Sequence, residues 1–188
     1  MILVCIYPEK IMEKLCHISN ISDTHARNAC FEGYKNNHTG ILKIEYESRY
    51  ENTRILREII DEFCAIFEIP PKWRTRIVLI YDELNNNAIE HGSISSDTNM
   101  CFISLEKKED SIILEWYVED TWKSQDAKSP EELRNLKCKF EWKDFSKHHS
   151  IRWRWLFLII SQLVNSLEFS RAHLGWVRVC FKKIITLD

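Results

Sequence analysis

Glycine is scarce in this chain, with four among 188 residues, about 2 % where an average protein has roughly 7 %. No apolar run approaches the roughly 18 residues that a bilayer-spanning helix needs. The apolar opening Met1–Tyr7 meets Pro8 and charges at once, too soon for a secretory h-region. No charge of one sign dominates. The net charge of -2 supplies no global field toward nucleic acid or membrane, so neither is expected as a direct partner. No internal repeat is visible. Seven cysteines are scattered, odd in number and without a C-x-x-C pair, which reads as free thiols in a reducing cytoplasm. Cys138 with His148 and His149 matches no common zinc spacing.

What is present is an ordinary globular balance, 45 % hydrophobic and 29 % charged, in a length that fits one domain with a sizeable core. Residues 1–40 carry no sustained period and end in the turn signal Asn36–Gly40, so they are expected to form a poorly ordered extension. From residue 41 the patterning is continuous. Residues 41–46 alternate as a strand. Asn52 and Thr53 offer caps to a helix with Leu56, Ile59, Ile60, Phe63 and Cys64 on its apolar face. Pro70 and Pro71 preset a second helix that carries Ile77, Ile80, Leu84 and Ala88 and stops at Gly92, read as its C′ residue. Residues 101–105 and 112–119 read as hairpin strands, with the turn at 107–110. Residues 121–150 are polar and long, as lids are. A third helix is expected with Leu156, Ile159, Ile160 and Leu163 inward, then strands over 166–170 and 177–183. The order β-α-α-β-β-lid-α-β-β predicts an α+β, two-layer sandwich: a mixed, mostly antiparallel sheet with about three helices on one face.

The chemistry concentrates in residues 77–92. Glu83 and Asn87 are four apart and share a helix face. A carboxylate and an amide so stacked are suited to polarise a water and to ligate a hard cation such as Mg²⁺; the same pair is equally compatible with a solvated polar face.

The segment Glu83-Leu84-Asn85-Asn86-Asn87-Ala88-Ile89-Glu90-His91-Gly92 resembles the N box of GHKL (Bergerat-fold) ATPases, in the form found in the serine/threonine kinases that act as bacterial anti-sigma factors. The family's D-x-G motif at a strand end is matched by Asp120-Thr121-Trp122. Its Gly-rich turn opening a helix is matched by residues 151–159, and its closing-strand turn by Leu174-Gly175-Trp176-Val177. The resemblance covers 41–188, in order. It implies a general base at Glu83, a Mg²⁺ ligand at Asn87, and an adenine-amino acceptor at Asp120, with Trp122 and Ser124 beside it. The phosphates of ATP would lie on the turn Arg152, Trp153, Arg154, Trp155 and Leu156, at a helix N-terminus. The lid would be 121–150. The implied activity is phosphorylation of an anti-anti-sigma-type protein, with a sigma factor as a second partner and a homodimer left open. The rival readings are a degenerate, nucleotide-free partner-binding module and a regulatory ATPase without kinase activity.

Trp122, Trp153, Trp155 and Trp176 stand where the family has glycine, and Trp142 is a fifth candidate. Glycine there permits φ > 0 and close approach to phosphate, which an indole blocks. Either the domain is degenerate, or these tryptophans are UGA codons that the source reads as glycine. Reassigning the five leaves two Trp and nine Gly of the seven and four present, nearer the average. The repetition of a single replacement favours the codon explanation.

Overall fold

The computed structural model describes residues 13–141, 163–172 and 175–187. Among the described residues, six strands form one sheet in the order β1-β2-β3-β4-β6-β5. They are β1 (Glu13–His17), β2 (Thr39–Glu47), β3 (Thr98–Lys107), β4 (Ser111–Asp120), β5 (Ser166–Arg171) and β6 (Val177–Thr186). β1 runs parallel to β2, and every other pairing is antiparallel. The helices are α1 (Ile18–Ile21), α2 (Thr24–Glu32), α3 (Glu51–Ile66), α4 (Pro71–Asn87) and α5 (Pro130–Glu141). The result is an α+β sandwich on a mixed sheet.

Alternation decides which face of the sheet is buried. Leu42, Ile44, Ile103, Leu105, Leu114, Trp116 and Phe181 join one core cluster with Leu56, Ile60 and Phe63 of α3 and with Ile77, Ile80 and Leu84 of α4. α3 begins at Glu51, one residue before the expected caps. Asn52 and Thr53 lie inside its first turn and bond the carbonyls of Glu47 and Tyr50 instead of capping.

Two expectations are corrected. Residues 13–36, expected to be poorly ordered, belong to the fold. Phe31, Tyr34, Phe63 and Phe67 form an aromatic cluster with ring centroids as close as 5.1 Å. The buried Arg27 of α2 grips Glu62 of α3 through two bonds of 2.6 and 2.7 Å. The segment shows no period because its pieces, of five, four and nine residues, are shorter than the window in which a period emerges. Second, the stretch 121–150, read as one long loop, contains α5. Ser129 and Glu132 form a reciprocal capping box at its start. Leu133 is buried, and Arg134 and Lys137 donate to the carbonyls of Phe169 and Leu167 on β5. The helix expected around 156–163 lies, up to residue 162, outside the described residues.

Candidate functional site

The site is built where the end of α4 meets the end of β4. α4 does not stop with a left-handed glycine. It widens into a π turn over Ala88–Gly92, and the chain leaves through Ser93 in extended conformation. Single π turns of this kind occur often at functional sites. Gly92 does not serve as the expected left-handed C′ cap, since among the described glycines only Gly175 has positive φ. Its role is close approach: a Cβ there would overlap the carboxyl of Asp120. The chain after β4 is stitched to the same point, with the amides of Lys123 and Ser124 donating to the Gly92 carbonyl at 2.9 and 3.3 Å.

Asp120 is the last residue of β4 and points to the helix side, in phase with Trp116 and Val118. The Trp122 amide donates to its Oδ1 at 2.9 Å. Burial nevertheless dominates and pushes its pKa up to about 7. Asp120, Asn87, Gly92 and His91 line a small, half-open cleft of about 50 Å³. Val118, Phe169 and Leu133 form its apolar wall, and Asp126 and Lys128 complete its rim. An apolar slot with few polar groups is the general form of a small-molecule site.

Of the residues singled out in sequence, Asn87 and Asp120 are brought to this cleft. Glu83 lies one turn before Asn87 on α4, half-buried, and is not among the lining residues. Ser124 is half-buried in the turn after β4 and accepts from the Asp126 amide at 3.3 Å. Trp122 has φ +54°, a left-handed conformation that glycine tolerates and an indole does not favour. Its ring packs on the core and carries the Arg171 guanidinium at 4.4 Å. Trp176 follows Gly175, which takes the positive φ of that turn, and is itself outside the left-handed region; its backbone does not call for glycine. Arg152, Trp153, Arg154, Trp155, Leu156 and Trp142 lie outside the described residues.

Sequence reasoning missed a buried polar junction beneath the cleft. Ser93 Oγ bonds Asn99 Oδ1 at 2.6 Å and receives the Thr121 amide at 3.0 Å. Thr121 Oγ1 donates to Asp97, which Lys123 Nζ also reaches at 2.7 Å. Burial raises the Asp97 pKa, but the bonds from Lys123, Thr121 and the Ile94 amide outweigh it, and the carboxyl titrates below its usual range. No spacing rule joins residues 93, 97, 99 and 121, so only the fold reveals them. The triplet Asn85–Asn87 also divides by role. Asn85 is fully buried, accepting from the Tyr46 hydroxyl at 2.5 Å and donating to the Tyr81 carbonyl at 2.7 Å, while Asn87 faces the cleft.

The donor set fits a nucleotide in part. A half-buried carboxylate in an apolar slot is suited to accept from an exocyclic amino group, and the Asn87 amide oxygen is of the hard type that Mg²⁺ takes. Among the described residues no helix is long and apolar enough to cross a membrane. No protein-family model matches the chain, and no curated protein matches it.

Proposed function

We propose that this chain is an ATP-binding regulatory domain of the GHKL (Bergerat-fold) type, which phosphorylates a serine or threonine on an anti-anti-sigma-type partner. The observation that carries the reading is the Asp120 carboxyl, seated on Gly92 in the cleft that Asn87 also lines. Both residues come from the two segments that resemble the family's motifs.

In this reading Asp120, ionised when it accepts from the adenine amino group, selects the base. Val118, Phe169 and Leu133 exclude water from its faces. Asn87 would hold Mg²⁺, which when bound neutralises charge on the transferred phosphoryl group. Glu83 takes the proton of the acceptor hydroxyl, after a side-chain movement that brings it from its half-buried position toward the Asn87 end of the cleft.

Calorimetric titration tests this, with Mg-ATP and Mg-GTP on the chain as written and on a version with glycine at 122, 153, 155 and 176. The glycine version should bind ATP and discriminate against GTP. Asp120→Asn should abolish that preference, and Glu83→Ala should retain binding while losing about 10²–10⁴-fold in phosphotransfer. A glycine version that ignores both nucleotides would overturn the reading. The second reading, a nucleotide-free partner-binding module, is favoured by one observation: the Trp122 ring is accommodated, packed on the core under Arg171. Radiolabelled ATP with candidate partners separates a kinase from an ATPase.

A further inference from the structure

Two cysteines that the proposed nucleotide site does not use face each other in the N-terminal unit. Cys16 is on β1 and Cys30 is in the last turn of α2. Their sulfurs are 3.7 Å apart and both side chains are half-buried. Lys14, two residues before Cys16 and therefore on the same side of the strand, donates from Nζ to the Cys30 carbonyl at 2.7 Å. An ammonium is thus fixed beside the pair. The hydrogen bond shared by the two sulfurs is the main influence on Cys30; with the Lys14 charge it outweighs burial and lowers the Cys30 thiol pKa. The same bond, with burial, pushes Cys16 up. One sulfur is prepared as a nucleophile, and the other lies in contact with it as a resolving thiol. The remaining described cysteines differ. Cys64 and Cys101 are buried and have raised thiols, Cys180 is pushed up to about 11 by burial, and Cys138 is exposed.

We propose that Cys16 and Cys30 form a redox-modification site, closed to an internal disulfide by exchange with a small-molecule disulfide of the glutathione type. The Cys30 thiolate attacks one sulfur of the small disulfide. A protein–glutathione S–S bond forms, the small S–S bond breaks, and one thiolate leaves. Cys16 then gives its proton to solvent and attacks the Cys30 sulfur, and the second small thiolate leaves. The two protein thiols lose two electrons, and the small disulfide gains them as two thiols. The bond closes residues 16–30, a loop of fifteen residues, and staples the edge strand β1 to α2. A loop of that length, closed without strain in a chain of this size, should raise the melting temperature by roughly 5–10 °C.

The test is incubation of the full chain with oxidised glutathione between pH 5 and pH 8, followed by alkylation and peptide mass spectrometry. The expected product is a Cys16–Cys30 disulfide free of glutathione, formed at a rate that titrates below the range of a free thiol, with a melting temperature raised as above and restored by dithiothreitol. Cys16→Ser should stop at a stable glutathione adduct on Cys30 and lose the acidic titration. Cys30→Ser should abolish the cross-link and the acidic titration, leaving Cys16 to react as an isolated thiol. Retention of glutathione on wild-type Cys30 with no cross-link, or modification confined to other cysteines, would overturn the proposal. ATP titration of the reduced chain is independent of either result.

Discussion

The α3–sheet interface and the α4–β4 junction belong to the same two layers but obey opposite rules. In the first, Leu56, Ile59, Ile60 and Phe63 are essentially fully buried at helical spacing, and strand alternation supplies apolar partners. In the second, Ser93, Asp97, Asn99 and Thr121 are buried polar groups, the helix ends in a π turn, a carboxyl sits on a glycine, and a tryptophan takes positive φ. Buried polarity and strained backbone cost stability and persist where the surroundings enforce them. The contrast separates the part of the molecule that holds the fold from the part proposed above to bind a nucleotide.

The largest expected effect lies on the apolar side. Phe63→Ala, made in the glycine version, should cost about 3–5 kcal/mol in chemical denaturation through the cavity it leaves, with the ATP affinity proposed for that version unchanged in its folded fraction. An equal loss of affinity would mean that the two regions are not separable.

At the junction the effect depends on pH. Burial raises the Asp120 pKa from 3.8 to about 7, so the folded state holds a proton that the unfolded state releases near pH 4. Stability from this group is full below that pH and falls as pH rises toward 7; the loss is complete above 7 and at most about 4 kcal/mol. Asp120→Asn should therefore be more stable than wild type at pH 8 and equal to it at pH 4 in thermal melts. A variant that is less stable at both values would show that the carboxyl carries no burial penalty.

Gly92→Ala should cost about 1–3 kcal/mol by overpacking. In a double-mutant cycle with Asp120→Gly most of that cost should vanish, because the Asp120 side chain is what the new methyl meets. Additive costs would place the clash elsewhere. The smallest effect is expected for Trp122→Gly. Relief of the left-handed strain, about 1 kcal/mol or more, is offset by loss of ring packing and of the Arg171 contact. Denaturation should shift by less than about 1 kcal/mol, whereas a gain in ATP affinity is the readout that matters.

This contrast also explains what could be read from sequence. α3 and α4, with β2 to β6, follow periods of 3.6 and 2 long enough to see, and Asn87 and Asp120, singled out in sequence, line one cleft. The unit 13–36 was hidden by the shortness of its pieces. α5 was obscured by its charge, although Ser129-Pro130-Glu131-Glu132 carries a capping-box signature ahead of Leu133. Gly92 was legible as important and misjudged in kind, since a collision with Asp120 exists only once α4 and β4 are side by side. The Ser93–Asp97–Thr121 junction is tertiary throughout and left no local trace.

β6 pairs with β4 on one side and β5 on the other, so the strand over 177–186 completes the sheet from within. β5 precedes β6 in the chain and, among the described strands, pairs only with it. During synthesis, therefore, β5 and the α5 docked on it have no sheet to join until residues 177–186 emerge. The Phe169 wall of the cleft closes last. A nascent chain halted before that point would leave the β6-facing side of β4 unpaired, open to the wrong strand.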